Sequence, residues 1–198
     1  MGLKEKFFVV ISIVVITACS RPSKQQQQID SIIALEQSKH TYEELGEPQA
    51  VISFGVITND RKTFVNGIVP WASLANPEED LPQLVSKDMV VIYDTVVTVV
   101  IDYPLTNPYE FRLISPDGFT RGQLLTEISN QYKFVYTEEE KTATVKTLPV
   151  EQREILNRNT TNGKYGIWGH DLTDLDLSEI HVHKAPDGRI VLLLQVES

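Results

Sequence analysis

The residues of this chain that could do chemistry are concentrated near its C-terminus. Residues 163–171 have the sequence GKYGIWGHD, in which three glycines at a spacing of three leave the backbone free to adopt unusual dihedral angles. Tyr165 and Trp168 offer flat apolar faces with polar tips, and His170 is adjacent to Asp171. These four residues are typical of a binding loop, in which aromatic anchors contribute most of the affinity. The alternative is a glycine-rich turn whose tryptophan fills the core.

A second group of candidate residues follows on a predicted strand. Glu179, His181 and His183 alternate with apolar residues, so at strand periodicity they point to one face. Two imidazoles and a carboxylate suit a zinc ion, and the aspartates within residues 171–176 could complete the site. The alternative is a half-buried strand with a polar exposed face. We favour this alternative, so no metal and no other cofactor is expected.

Signatures of common enzyme classes do not occur in the sequence. It contains no glycine-rich phosphate loop, no G-x-S-x-G, no H-E-x-x-H and no C-x-x-C. Whether the protein is an enzyme stays open at this point, although the missing signatures favour a non-catalytic binding or interaction module. The competing hypothesis is a periplasmic hydrolase, metal-dependent or not, that uses His170, His181 and His183.

The first twenty residues indicate how the protein is delivered. Lys4 and Lys6 precede a mostly apolar run over residues 7–18. This run is short of the roughly 20 residues that a helix needs to cross a bilayer core. A basic start followed by such a run is typical of a secretory signal peptide, and a transmembrane anchor is the less favoured alternative.

The apolar run ends in residues 16–19, ITAC, which resemble the lipobox of bacterial lipoproteins. In that family the cysteine thiol is alkylated with diacylglycerol, and a dedicated signal peptidase then cleaves directly before it. The resemblance implies a signal peptide over residues 1–18 and lipidation of Cys19, the only cysteine in the chain. The alternative is an unmodified cysteine at the end of an ordinary signal peptide.

Location and partners follow from this resemblance. Ser20 stands where an Asp commonly signals inner-membrane retention in enteric bacteria, so the resemblance implies the outer membrane, facing the periplasm. The first expected partner is the membrane, reached through the N-terminal lipid, and the second is a protein or another envelope component. Nucleic acid is not expected, because a chain with a net charge of −9 is repelled by phosphate.

The rest of the chain is predicted to form a tether and one domain. Residues 19–28 hold the lipidated cysteine and a segment without apolar residues that includes four consecutive glutamines, as is typical of a flexible tether. Residues 29–198 are long enough for a single globular domain with a sizeable core.

Hydrophobic patterns predict the elements that would position the candidate residues. Residues 89–103 are rich in valine and isoleucine on both faces, which predicts a long central strand, with a break near Asp94 as a second option. Residues 109–114 are its expected antiparallel partner. Further strands are expected at residues 50–57 and 64–71, and a hairpin at residues 177–184 and 189–197.

Helix signals are interspersed among these strands. Thr120 and Gln123 form a capping box ahead of a helical face, and further helices are expected near residues 29–35 and 149–156. Helices and hairpins without a repeating βαβ pattern predict an α+β fold. We expect an antiparallel sheet with a long central strand, packed against two or three helices.

Overall fold

The structure is a computed structural model in which residues 22–37 and 42–198 are described. Cys19 and the predicted signal peptide lie outside these residues. Within the described ranges, no helix is long and apolar enough to cross a membrane. The described elements, in chain order, are α1 (Lys24–Gln37), β1 (Ala50–Ser53), β2 (Val56–Ile57), β3 (Ile68–Val69), β4 (Ala72–Ser73), α2 (Pro77–Asp80), β5 (Val90–Ile92), β6 (Val96–Ile101), β7 (Tyr109–Ile114), β8 (Phe119–Thr120), α3 (Arg121–Thr142), β9 (Asp176–Lys184) and β10 (Ile190–Glu197).

Six of these strands form one sheet in the order β1-β9-β10-β6-β7, with β4 also paired to β9. The α+β class is confirmed, but the sheet is mixed and not purely antiparallel, because β10 runs parallel to β6. Parallel neighbours need a long crossover connection, and here the chain passes through β7, α3 and β9 before β10 begins. The predicted hairpin is confirmed as β9 and β10, which pair antiparallel.

The predicted long strand is divided at the expected position. β5 ends at Ile92 and pairs with β8, whereas β6 begins at Val96 and lies between β10 and β7. Five of the six residues of β6 are buried, as expected for a strand that is covered on both faces. The middle of the sheet is nevertheless occupied by β10, so the predicted central strand is an interior strand next to it.

Helix α3 begins at the predicted capping box. Thr120 Oγ1 accepts a hydrogen bond from Gln123 N at 3.2 Å, and Gln123 Oε1 accepts one from Thr120 N at 2.9 Å. Its buried face packs into the same core as the inward side chains of β6, β9 and β10, so α3 covers one face of the sheet. The buried helix residues include Leu124, Leu125, Ile128, Tyr132 and Val135.

Four predicted elements differ in the structure. The strand expected at residues 50–57 is divided into β1 and β2, and within residues 64–71 only β3 is a strand. Residues 149–156 form only a short 3₁₀ turn, Val150–Gln152, which ends at Arg153 in an extended backbone conformation. The Arg153 guanidinium group then takes the carbonyl groups of Leu148 and Leu156 and holds an irregular loop. The four glutamines expected in a flexible tether belong to α1, whose first turn is capped by the hydrogen bond from Gln26 N to Ser23 Oγ at 3.1 Å.

Candidate functional site

A buried carboxylate holds the predicted binding loop, residues 163–171, against α3. Glu139 has no exposed surface, and it accepts hydrogen bonds from Gly163 N at 2.8 Å and from Tyr165 N at 2.8 Å. Gly166 N at 3.2 Å and Thr161 Oγ1 at 2.6 Å complete the set. A Cβ atom at Gly163 would lie 2.6 Å from Glu139 Oε2, so this glycine is required for close approach of the loop.

The same hydrogen bonds set the protonation state of this carboxylate. Burial by itself raises the pKa of Glu139, because a charge loses hydration there. The hydrogen bonds from Thr161 and from the backbone of Tyr165, Gly163 and Gly166 outweigh burial and hold the pKa below its ordinary value of 4.5. Glu139 is therefore ionised at neutral pH, and its role is to fix the loop.

The two aromatic residues of the loop lie in the core. Tyr165 is 3% exposed and Trp168 is 2% exposed, and both belong to the main hydrophobic cluster. The Trp168 ring meets the Tyr103 ring edge-on, with centroids 5.2 Å apart. The structure therefore supports the alternative in which Trp168 fills the core, and neither ring is presented as a contact surface.

His170 and Asp171 are half-buried and have structural partners. His170 Nε2 lies 2.8 Å from Tyr103 Oη, which also lies 2.8 Å from Ser198 Oγ. Asp171 accepts hydrogen bonds from Arg153 Nη1 at 2.6 Å and Nη2 at 3.1 Å. This bidentate contact raises the pKa of Arg153 and ties the loop at residues 148–160 to the predicted binding loop.

The predicted metal ligands do not come together as a metal site. Within residues 22–37 and 42–198, no group of three or more His, Cys, Asp or Glu side chains could hold a metal ion. His181 Nε2 lies 3.2 Å from Glu179 Oε2, whereas His183 is 4% exposed and lies opposite Val191 in a small apolar cluster. Glu179, His181 and His183 are therefore not brought together as a set of metal ligands in the described part of the chain. His170, His181 and His183 have separate surroundings, so no observation favours the hydrolase hypothesis.

Glu179 and His181 instead line a groove on the outer face of the sheet. They alternate along β9 with the buried residues Ile180 and Val182, so they point away from α3. The groove has a volume of about 640 Å³ and lies between β9, β10 and the β2–β3 hairpin. Its lining includes Ser53, Trp71, Glu179, His181, Gln195 and Glu197.

The groove combines an aromatic wall with acidic groups. Trp71 is half-buried and meets Phe64 edge-on, with ring centroids 6.1 Å apart. The Glu179 side chain is 44% exposed, and Glu197 Oε1 accepts a hydrogen bond from Ser178 Oγ at 3.1 Å. Neither lysine nor arginine occurs among the lining residues. The arrangement therefore suits a ligand group that carries positive charge.

Trp71 and Glu197 were not singled out in the sequence, although they define this groove. They lie more than a hundred positions apart and meet only because β10 pairs with β9 beside the β2–β3 hairpin. The one available signal was the tryptophan itself, since a half-exposed aromatic ring is typical of contact surfaces.

Three comparisons with known proteins found no match for this chain. No protein-family model, curated protein or solved structure matches the chain. The function is therefore inferred from the residues of the groove and from the lipobox-like sequence.

Proposed function

We propose that this protein is a lipid-anchored binding module of the bacterial cell envelope, whose domain binds a cationic ligand in the groove beside Trp71. The observation that carries the proposal is the groove itself, in which an aromatic ring and two carboxylates occur without a lysine or arginine, and His181 is the one imidazole, beside Glu179. The lipobox-like residues before Cys19 support the anchor. Nothing in this arrangement supplies an activated nucleophile, so binding is the activity that it supports best.

The chemistry of the groove selects the ligand class. A cation over the face of a tryptophan is stabilised by about 0.5–2 kcal/mol, depending on how far it is desolvated. Glu179 and Glu197 supply opposite charge, and Gln195, the cross-strand partner of Glu179, supplies a neutral amide. The net charge of −9 also attracts cations over longer distances. We infer a primary ammonium or guanidinium group, as a basic peptide segment would present it.

A peptide-binding experiment tests the groove. Trilysine should bind the protein, whereas triglutamate and the neutral sugar chitotriose should not. Glu179→Gln should weaken trilysine binding about tenfold, equivalent to about 1.4 kcal/mol, because the contact between the carboxylate and the ligand's ammonium group is lost. Trp71→Ala should weaken it as well. Isothermal titration calorimetry gives the dissociation constants.

The control variant for this experiment is Glu110→Gln. Glu110 is an exposed residue of β7 outside the groove, and its substitution changes the net charge by the same amount. Equal weakening by Glu179→Gln and Glu110→Gln would mean that trilysine binding depends only on net charge. That result would contradict the assignment of the groove as the binding site. Binding of chitotriose but not of trilysine would mean that the ligand of the groove is a saccharide and not a cation.

The anchor is tested separately by Cys19→Ser. The wild-type protein should be recovered from membranes with an N-terminal diacylglycerol thioether at Cys19. Cys19→Ser should accumulate as an uncleaved precursor without acyl chains, because a serine hydroxyl cannot replace the thiolate in thioether formation. Intact-mass spectrometry distinguishes the two products. Normal acylated product from Cys19→Ser would contradict the lipoprotein assignment.

A further inference from the structure

Three apolar side chains in the loop after α3 are exposed, and one of them, Leu148, lies near the second turn of α1. Leu148 is 40%, Val150 is 53% and Leu156 is 85% exposed. A second cavity, of about 420 Å³, is lined by Gln28 and Ser31 of α1 together with Leu148 and other loop residues. The loop therefore lies alongside the second turn of α1. We refer to Leu148, Val150 and Leu156 as the apolar loop patch.

The loop is held in this arrangement by one half-buried arginine. Arg153 Nε donates to the Leu148 carbonyl at 2.9 Å, and Arg153 Nη1 donates to the Leu156 carbonyl at 3.2 Å. The same guanidinium group is bound to Asp171. Arg153 thus ties the backbone at Leu148 and at Leu156 to the domain. The exposure of the apolar side chains of the patch is therefore set by these hydrogen bonds of Arg153.

The length of chain between the lipidation site and α1 places this surface near the bilayer. Lys24, the first residue of α1, is the fifth residue after Cys19. Five residues span at most about 18 Å even when fully extended. A diacylglycerol on Cys19 would therefore hold the beginning of α1 within about that distance of the membrane surface. Gln28 and Ser31, which line the cavity with Leu148, lie only roughly 6–10 Å further along the helix.

We propose that the apolar loop patch contacts the bilayer in which Cys19 is anchored; this inference rests on the lipidation proposed above. The contact is apolar and lies at the boundary between headgroups and acyl chains, where exposed leucine and valine side chains leave water. Glu151 and Glu154 of the same segment are exposed, so attraction to anionic headgroups does not drive the contact. The patch acts as a second attachment point that orients the domain on the membrane.

A single-cysteine label tests the contact in the full lipidated protein. Because Cys19 is the only cysteine and its thiol is consumed by lipidation, Leu156→Cys provides one free thiol for the fluorophore NBD. In zwitterionic phosphatidylcholine vesicles, this label should shift its emission to shorter wavelength, gain at least about twofold in intensity and be quenched by doxyl-labelled lipid. A high salt concentration should leave these changes in place, because the contact is apolar.

The matched control is Asp187→Cys, in the exposed turn between β9 and β10. Arg153 of the loop binds Asp171, which is adjacent to His170, and His170 and Ser198 both contact Tyr103. Ser198 directly follows β10, so it marks the end of this strand that is nearer to the loop. Asp187 precedes the other end of this eight-residue strand, roughly 25 Å from Ser198. Its label should keep the spectrum that it has without vesicles.

Two outcomes distinguish this inference from the anchoring proposal. If the protein carries its acyl chains and the label at Leu156→Cys is as accessible to iodide as the label at Asp187→Cys, the membrane contact of the patch is wrong and the anchor stands. If intact-mass spectrometry finds no acyl chains on Cys19, the anchoring proposal is wrong and the contact falls with it.

Discussion

Trp168→Ala is expected to lower the free energy of unfolding by about 3–5 kcal/mol, the usual cost of removing an enclosed indole ring. The ring is 2% exposed and packs edge-on against Tyr103, so its removal leaves a cavity that its neighbours cannot easily fill. For a domain of this size, each kcal/mol shifts the melting temperature by about 2–4 °C. The melting temperature should therefore fall by roughly 6–20 °C, measured by thermal unfolding followed by circular dichroism.

Trp71→Ala is the matched control, because Trp71 and Trp168 are the only two tryptophans of the chain. Trp71 is half-buried at the wall of the groove, so water can occupy much of the space that its ring leaves. We expect a clearly smaller loss of stability, together with weaker binding of trilysine. Equal destabilisation by the two variants would show that Trp71 is a core residue and would remove it from the proposed site.

Elements with local signals could be predicted from the sequence. The helix that starts at Arg121 follows from Thr120 and Gln123, whose side chains each satisfy a backbone N–H group within four residues. The β9–β10 hairpin follows from a short polar turn between two apolar segments. In both cases the atoms that determine the structure are close together in the sequence.

Features that depend on distant contacts could not be predicted. The parallel pairing of β10 with β6 joins strands that are separated by α3 and β9, and no local pattern records it. The helix expected at residues 149–156 is replaced by a loop in which the Arg153 guanidinium group binds the Leu148 and Leu156 carbonyls and the carboxylate of Asp171, which lies beyond the segment. Tertiary contacts of this kind override local helix propensity.

The candidate site illustrates the same limit. Residues 163–171 have the composition of a binding loop. In the structure, however, Gly163 allows the loop to lie close to Glu139, and Trp168 fills the core. Glu139 lies within an acidic run on α3 that resembles a solvated helix face. The groove at Trp71 gathers residues from four separate segments, so their chemistry is apparent only after folding.

Glu139→Ala is expected to lower the free energy of unfolding by about 3–5 kcal/mol. The carboxylate is fully buried and satisfies three backbone N–H groups and the hydroxyl of Thr161. Each buried donor that is left unpaired costs about 1–3 kcal/mol, and only part of this is recovered by relaxation or entry of water. Urea denaturation measures the loss. Glu139→Gln keeps the shape and one acceptor oxygen, so its loss should be smaller.

The pH dependence of unfolding, compared between wild type and Glu139→Gln, tests whether the charge of Glu139 is the stabilising feature. Its pKa in the folded protein lies below the ordinary value of 4.5, so folding favours the ionised form. This stabilisation is fully present above the unfolded-state pKa and is lost as pH falls through the folded-state pKa. The stability difference between wild type and Glu139→Gln, measured by urea denaturation, should therefore be constant between about pH 8 and pH 6 and shrink towards pH 3. A difference that does not change across this range would mean that shape, and not charge, makes Glu139 stabilising.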